Sequence, residues 1–600
     1  MGLFSLPSHT RAREVPVAEA RSTADDAETG GGHGKGSSSA PENTYPTATA
    51  SDSDAVSVDA QAGVQQAEAT AKVWTVKHIV LAYFLIWAIY FVDATQQGVS
   101  SGMLPYVTSA FRQHSLTAAT GIMAHLLGGL LKLPLAKILD IWGRPQGFVF
   151  TTFILTVGLV MMAACQNVQT FAAAQVFYWV GYNGMTYTLH IFIADTSALK
   201  NRALMFAFSS SPYIITTWIA GPLAARFLAG PGWRWAFGAF AIITPIVSLP
   251  LVALFTHNFR KAKAQGLMPD KGNSRTLAES VRYYLIEFDV VGLLLIAVGL
   301  ALFLLPFSLY TYQPGKWRSP FIICMLVFGV IFIVAFVLYE KFVAPVQFLP
   351  YALLADRTIM GAMVLALVLF VAFFIWDIFF SSFLQVVNGL SVTHATYVGK
   401  IHVGVTCFWA IIVGVLIRVT GRFKWLALYF GVPLTLLGTG LMIHFRQPHV
   451  HIGYVVMCQI FIACAGGTIV VCEQMAVMAS VSHQHIAVIL AIQAMFASVG
   501  GAIGSTIAAA LWTGIFPRKL AKLLPPESQA SLARIYGNLS AQLEYPIGSP
   551  TREAISQAYG ETQRLMLISA MCVLSLAVVA VAVWRDIRVK DFKQVKGLVV

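Results

Sequence analysis

Apolar stretches of about 20 residues recur along almost the whole chain after residue 77. An α-helix rises about 1.5 Å per residue, so it needs about 20 apolar residues to cross about 30 Å of hydrocarbon. Only 11% of the residues are charged, well below the roughly 25% found in soluble domains. A soluble core could not bury so many apolar helices. The sequence therefore predicts an all-α integral membrane protein.

Basic residues fall in short loops on alternate sides of the apolar stretches, which is the positive-inside pattern of membrane proteins. This pattern accounts for the net charge of +13. A nucleic-acid site is excluded because it would gather basic residues on one face, interleaved with aromatic side chains. With the N-terminus in the cytosol, nearly every basic loop is cytosolic. About fourteen spans are predicted, at residues 79–98, 116–136, 147–166, 171–194, 204–228, 235–256, 288–310, 319–340, 358–382, 394–417, 425–444, 453–472, 486–514 and 565–584.

An internal repeat predicts how the spans are organised. Residues 136–144 read AKILDIWGR and residues 414–422 read GVLIRVTGR. They share a small-xxx-charged-xx-Gly-Arg spacing and are offset by 278 residues, the difference between 143 and 421. Two six-helix halves flanking two extra helices resemble the major facilitator fold, whose substrate site lies between the halves. The predicted parts are a disordered cytosolic tail (1–72), a first half (77–258), a cytosolic linker (259–287), two inserted helices (288–341), a second half (358–584) with an external loop (515–564), and a cytosolic tail (585–600).

The repeated loops predict a gating latch on the cytosolic side. Asp140 can lie near the positive end of a neighbouring helix, and Arg144 can pair with Asp195. Such contacts would close the cytosolic side in one conformation and release it in the other. The alternative is a plain turn whose charges only set topology. The predicted latch residues are Asp140, Gly143, Arg144, Asp195, Gly421 and Arg422.

Four further stretches resemble the fungal siderophore-iron transporters, a fourteen-span family of the major facilitator class. They extend the likeness from about residue 77 to residue 584 and consist of YVTSAFRQHSL (106–116), EFDVVG (287–292) running on to LPF (305–307), TGRFK (420–424) with MIHFRQP (442–448), and GGAIGS (500–505) followed by Trp512 and Pro517. The resemblance implies proton-coupled import of ferric siderophores by a monomer that uses no cofactor. It also implies the plasma membrane, with an endosomal or vacuolar membrane as the alternative.

Ionisable side chains inside membrane spans are candidates for proton coupling, because an unpaired charge there costs several kcal/mol. Asp93 lies in the first span and Asp377 in the ninth, which is its equivalent in the second half. A buried carboxyl group can alternate between protonated and ionised forms, as coupling requires. The alternatives are an aspartate that lies near the lipid headgroups, or one that is structural and hydrogen-bonded. His190 and His402 are weaker candidates, since a lone histidine in a span is more often a satisfied polar group.

Aromatic and amide side chains on the same spans could line a substrate cavity. A hydroxamate siderophore already fills all six iron positions with oxygen, so recognition would rest on aromatic surface and hydrogen bonds. Simple packing is the alternative for every aromatic. No metal site is predicted, and the external histidines 444, 449 and 451 are interpreted as a solvated loop. The cavity candidates are Tyr90, Gln96, Gln97, Tyr182, Phe374, Trp376, Tyr397 and Lys400.

Two other functions use the same observations. A proton-coupled exporter of drugs, toxins or glutathione would share the fold, and Gly221-Pro222 echoes a motif of such exporters. A non-transporting sensor would need a large folded cytosolic domain, which neither tail offers. No nucleophile–base pair or phosphate-binding loop is found in the sequence, so an enzyme is not predicted. One glycosylation sequon, at Asn538, falls in the predicted external loop.

Overall fold

The computed structural model describes residues 65–66, 69–70, 72–110, 122, 126–267, 277–310, 313–345, 354–481 and 485–589. All regular structure within these ranges is helical, which confirms the all-α class. Eleven of the described helices are long and apolar enough to cross a membrane. Most of the predicted tails, and residues 116–121 and 123–125 of the second predicted span, lie outside the described ranges.

The predicted number of fourteen spans is not confirmed. The second predicted span is described only in part, and the seventh forms a helix of 15 residues, about 23 Å long. The fourth forms a helix of 29 residues that carries polar side chains along its length. These three elements therefore do not meet the length and apolarity that the other eleven meet.

The first half contains seven described helices. A glycine at positive φ (Gly143, φ 104°) separates the second and third helices, and Pro145 opens the third. The fourth helix is capped by Asn167, whose side chain accepts a hydrogen bond from the backbone of Thr170 at 2.7 Å. The helices are α1 Val76–Ala110, α2 Lys132–Trp142, α3 Arg144–Ala164, α4 Val168–Thr196, α5 Leu199–Ser210, α6 Pro212–Ala229 and α7 Trp233–Ala264.

The rest of the chain continues with the inserted pair and the second half. Helix α8 Leu277–Glu287 lies in the predicted linker, and the inserted pair consists of α9 Val290–Leu304 and α10 Pro320–Phe342. The second half contains α11 Arg357–Asp377, α12 Phe380–Val386, α13 Val392–Thr420, α14 Val432–Phe445, α15 Ile452–Ala479, α16 Ile486–Leu523, α17 Pro550–Leu574 and α18 Leu576–Ala582.

Packing within each half is tight, and two seams join the halves. In the first half α3 packs on α4 and α7, and in the second α11 packs on α16 and α13 on α15. Gly500 and Gly504 let α16 approach the backbone of α11, since a Cβ atom at Gly500 would lie 2.4 Å from the carbonyl oxygen of Leu367. Between the halves, α13 packs on α5 and α6, and α16 packs on α2.

The segment predicted as an external loop is bounded by longer helices than expected. Helix α16 continues to Leu523 and α17 begins at Pro550, so the segment between them covers 524–549 rather than 515–564. The chain leaves its apolar stretch near residue 514, but the Lys, Leu and Ala residues that follow favour helix. Arg552 fixes the segment by donating hydrogen bonds to the carbonyl oxygens of Gln542 and Val386, at 2.6 and 2.8 Å.

The N-terminal tail also ends earlier than predicted. Residues 65–66 and 69–70 are helical, and Gln66, Ala69, Val73 and Trp74 are buried. Trp74 packs against Phe192 of α4, with ring centroids 5.2 Å apart. The part of 1–72 that lies before residue 65 is outside the described residues. Burial of an apolar side chain every three to four residues explains why this stretch is helical.

Candidate functional site

Asp93 is the centre of a polar cluster inside the first half. It is 3% exposed, and its Oδ2 atom has no hydrogen-bond partner among the described residues. Helix α1 places Tyr90, Gln96 and Gln97 three or four residues from Asp93, which is on the same face. A buried carboxyl group with an unsatisfied oxygen is costly unless it is neutral or acquires a partner.

Tyrosine hydroxyl groups connect this face of α1 to two other helices. Tyr178 of α4 donates to the side-chain oxygen of Gln96. The amide of Gln97 donates to the hydroxyl of Tyr213 at 2.9 Å, and that hydroxyl lies 3.1 Å from the hydroxyl of Tyr182. Asp93 is close enough to all three tyrosines to interact with them electrostatically. The network therefore joins α1, α4 and α6 around one carboxyl group.

Sequence reasoning missed Tyr178 and Tyr213. Tyr178 lies one helical turn before the predicted Tyr182, and their rings stack with centroids 6.1 Å apart. That spacing was a signal available in the sequence. Tyr213 follows the Ser211-Pro212 break that divides α5 from α6, and the pattern of apolar residues gives no sign that this turn faces α1.

His190 belongs to the same cluster. Its ring stacks on Tyr90 with centroids 6.3 Å apart, and it meets the edge of Phe206 at 5.1 Å. Lys132 of α2 is near enough to influence the charge of His190. The structure thus brings together five predicted residues of the first half, namely Tyr90, Asp93, Gln96, Gln97 and Tyr182, with His190 beside them.

A second cluster, in the other half, carries several charges. Asp377 is the last residue of α11, and both Lys400 of α13 and Arg446 are close enough to interact with its carboxylate. Arg446 is fully buried and donates two hydrogen bonds to the carbonyl oxygen of Trp376, at 3.1 and 3.2 Å. Its guanidinium also lies 4.2 Å from the ring centroid of Phe380. Arg446 therefore caps α11 where that helix breaks.

The proton-coupling candidate His402 and the remaining cavity candidates of the second half lie partly beside this second cluster and partly at the α13 seam. His402 packs on Phe373, with ring centroids 5.2 Å apart, and Phe374 neighbours Phe373 at 5.4 Å. Tyr397 instead meets Trp218 of α6 at 5.5 Å, so it lies at the seam between the halves. Trp376 is 3% exposed and contributes to the cage around Arg446.

The two repeated loops have unequal surroundings. In the first, Arg144 lies 3.2 Å from Asp195 and donates to the carbonyl oxygen of Leu139 at 2.9 Å, and its side chain is buried. In the second, Arg422 lies 3.7 Å from Asp586, and both side chains are about half exposed. An exposed pair contributes at most about 1 kcal/mol. Asp140 lies on α2, Gly143 forms the turn, and Gly421 ends α13 at a φ of 72°.

Glu473 is a buried acid that sequence reasoning missed. It is 3% exposed on α15, and its carboxylate accepts a hydrogen bond from Gln493 of α16 at 2.6 Å. The predicted span ended at residue 472, one residue short, although α15 continues to Ala479. Its position is the repeat equivalent of Asp195, since 473 and 195 differ by 278. The internal repeat could therefore have identified it.

Two polar residues of the predicted external side form helix caps. The side-chain oxygen of Asn538 accepts a hydrogen bond from the backbone of Ser540 at 2.9 Å. His451 caps α15 by accepting from the backbone of Gly453 at 3.1 Å. Both contacts are local N-caps of the helices that follow. Glycosylation of Asn538 stays a prediction.

Comparisons with known proteins agree with this architecture. A family model described as Major Facilitator Superfamily matches residues 86–315. The chain is 62% identical over 545 residues to "MFS siderochrome iron transporter 1" of Ajellomyces capsulatus, covering 91% of this chain and 93% of that protein. It is 44% identical over 541 residues to "MFS siderochrome iron transporter D" of Aspergillus fumigatus, covering 90% of each.

Solved structures show the same fold at low sequence identity. A bacterial homologue of the human lysosomal transporter Spinster, in an inward-facing and occupied conformation, superposes with a TM-score of 0.52 at 16% identity. The match covers 85% of this chain and 97% of that structure. At this identity the likeness concerns the fold alone.

Proposed function

This chain belongs to the fungal siderochrome iron transporters of the major facilitator superfamily, and we propose that it imports ferric siderophores together with protons. It is a multi-pass membrane protein. We place it at the plasma membrane as a monomer that performs no covalent chemistry. Its substrate is a complete iron chelate, which the protein moves without taking over the metal.

The observation that supports proton coupling is the burial of Asp93 without full hydrogen bonding. The carboxyl group is buried, and one of its oxygens has no partner among the described side chains and backbone groups. In hydrocarbon such a group is stable when neutral and costly when ionised. Protonation from the external side would therefore permit a conformation that buries Asp93, and release to the cytosol would favour the reverse change.

The surrounding polar groups support recognition of a large chelate by its periphery. The hydroxyls of Tyr182 and Tyr213 and the amides of Gln96 and Gln97 are aligned along α1, α4 and α6. Because a siderophore saturates its iron with oxygen, these groups would contact ligand carbonyls and amides. Lys400, across the seam on α13, would supply a positive charge from the other half.

The latch of the first half supports alternating access. Arg144 and Asp195 are paired at 3.2 Å, whereas the equivalent Arg422 has an exposed partner. A buried, charge-assisted pair is strong enough to hold one conformation, and a solvated pair is easily exchanged. We propose that the first loop holds the cytosolic side closed and that its release accompanies substrate delivery.

The exporter alternative loses its sequence support, since Gly221 has a packing role. A Cβ atom at Gly221 would lie 3.1 Å from the carbonyl oxygen of Thr393, so the glycine lets α6 approach α13. Either direction of transport would require this close approach. The motif therefore does not favour export.

Uptake of radioactive iron tests the proposal. Cells that lack other siderophore carriers and express this chain are supplied with several iron chelates in parallel, at two external pH values. We expect accumulation of at least one hydroxamate chelate that is faster at the lower pH. Retention of chelate only in cells without the protein would instead identify an exporter. Accumulation that ignores external pH would contradict proton coupling.

A further inference from the structure

Helices α9 and α10 form a unit at the edge of the molecule, and the transport scheme above gives them no task. They pack against each other at two glycines, since a Cβ atom at Gly329 would lie 2.7 Å from the backbone nitrogen of Phe303. A Cβ atom at Gly299 would lie 3.0 Å from the nitrogen of Ile333. Of the eleven candidate spans, α10 has the smallest buried share, 17%. Helix α10 therefore faces lipid along most of its length.

The cytosolic end of this pair is fastened to α2. The ammonium group of Lys137, six residues before Gly143 of the latch, donates a hydrogen bond to the carbonyl oxygen of Glu287. Glu287, Asp289 and Glu340 are all close enough to interact with the charge of Lys137. Asp289 and Glu340 are 3% and 1% exposed. A half-buried cation thus meets the start of α9 and the end of α10 at one point.

The backbone at this point is strained. Asp289 has a φ of 44°, a conformation that residues other than glycine rarely adopt. Its side chain accepts a hydrogen bond from the backbone of Gly292 at 3.2 Å, and a Cβ atom at Gly292 would lie 2.0 Å from its Oδ2 atom. Such strain persists where the surrounding structure enforces it, and it concentrates at functional positions. The EFDVVG stretch is therefore shaped around this attachment.

The outer end of the same pair contacts the other half. Residues Pro306–Leu309 pack against α16, and the hydroxyl of Tyr310 would lie 3.4 Å from a Cβ atom at Gly514. Helix α16 also packs on α2, and this contact between α16 and α2 is one of the two seams that join the halves. The pair consequently touches the first half at its cytosolic end through a charged contact, and the second half at its outer end through the Pro306–Leu309 turn and Tyr310.

We propose that α9 and α10 are a brace that holds the cytosolic end of α2 through Lys137, and that Lys137 is a positioning residue for the conformational change of transport. The brace keeps the cytosolic end of α2, and with it the latch, in a fixed position while α16 moves past α2. The proposal goes beyond the proposed function, although its rate measurement uses that function.

Substitution of Lys137 tests the brace in cells. Lys137→Met should lower the maximal uptake rate per surface molecule by about tenfold, with the half-saturating chelate concentration unchanged. Lys137→Arg keeps the charge and should stay within about twofold of the wild type. Adding Glu340→Gln to Lys137→Met should slow uptake little further, because contacting residues are not additive. Lys263→Met removes an exposed cytosolic lysine and serves as the matched control.

Purified protein gives a second measurement that needs no transport. Tyr310→Cys and Gly514→Cys are joined by a short bifunctional reagent, and Lys137→Met should reduce the cross-linking yield by about threefold. An unchanged yield would overturn the brace, whatever the substrate proves to be. A Lys137→Met protein that transports at the normal rate per molecule would also overturn it. So would a Lys137→Arg protein that transports as slowly as Lys137→Met. Uptake that is absent already in the wild type would count against the proposed function only.

Discussion

Arg446 and Asp93 are both buried ionisable side chains, and they differ in how many of their polar atoms have partners. Arg446 is surrounded by aromatic rings, donates hydrogen bonds from both terminal nitrogens to the carbonyl oxygen of Trp376 and has the Asp377 carboxylate nearby. Its charge is therefore largely compensated in place, with only its Nε atom lacking a partner among the described residues. Asp93 retains an oxygen without a partner among the described residues. A compensated charge is suited to a fixed structural role, whereas an uncompensated carboxyl group responds to protonation. The two residues therefore predict different outcomes for conservative substitution.

Asp93→Asn should abolish accumulation of iron chelate against a gradient and leave the protein folded. Asparagine imitates the neutral carboxyl group and strands no charge in hydrocarbon. Wild-type uptake should weaken as external pH rises, because fewer protons are available for Asp93, and any residual exchange by the variant should ignore pH. Surface abundance, chelate binding and pH-dependent uptake are measured on the same variant. Normal accumulation driven by acid pH would assign Asp93 a structural role.

Arg446→Lys should destabilise the protein although the charge is kept. An ammonium group cannot donate two parallel hydrogen bonds to one carbonyl oxygen and stack on Phe380 at the same time. We expect a loss of about 1–3 kcal/mol, seen as a lower thermal midpoint in detergent. Arg418→Lys, on the exposed end of α13, is the matched control and should leave the midpoint unchanged. Equal midpoints for the two variants would show that the cage contributes nothing.

At the scale of the elements, apolar runs predict where most helices lie but not where they end. The run in α16 stops near residue 514, yet helix-favouring Lys, Leu and Ala residues carry the helix to Leu523. The same limit hid Glu473, one residue beyond its predicted span. Asp93 and Asp377 were identifiable because a charge inside an apolar run is conspicuous. Tyr178 was identifiable only from its one-turn spacing to Tyr182, and Tyr213 carried no such signal, because a tyrosine fits either packing or a site.

Helix contacts made through glycine should tolerate no added methyl group. A Cβ atom at Gly500 would lie 2.4 Å from a backbone oxygen of α11, and a backbone cannot move aside as a flexible side chain can. Gly500→Ala should therefore cost about 1–3 kcal/mol and lower the thermal midpoint. Gly399→Ala, in open space on α13, should be neutral or slightly stabilising. A harmless Gly500→Ala would mean that α11 and α16 are farther apart than described.

In the whole molecule, the two halves touch each other near both ends of α13. Near the end predicted to be cytosolic, a Cβ atom at Gly414 would lie 3.1 Å from the Cα atom of Leu204. Near the end predicted to be external, one at Gly102 would lie 3.1 Å from the hydroxyl oxygen of Thr396. Transport by alternating access requires these contacts to open in turn. Fixing one of them should therefore stop the cycle.

A disulfide between Gly102→Cys and Thr396→Cys should arrest uptake with the external side closed. The approach of these positions suits the Cβ separation of about 3.5–4.5 Å that a disulfide needs. Uptake should be lost on oxidation and return on reduction, measured in a background where the exposed Cys324 and Cys572 are serine. Each single-cysteine variant is the control and should transport under both conditions. Undiminished uptake by a fully cross-linked protein would rule out an opening at this seam.

The length of α16 has a practical consequence for imaging. Its 38 residues extend about 57 Å, well beyond the hydrocarbon thickness, and Arg552 fastens the neighbouring segment in place. Small transporters are difficult to align as single particles in cryo-electron microscopy because little of their mass stands outside the micelle. The segment between residues 524 and 549, held by Arg552 at the end of α16, offers a rigid grafting point for an antibody fragment or a fused scaffold. This segment is accordingly the place to attach a fiducial marker.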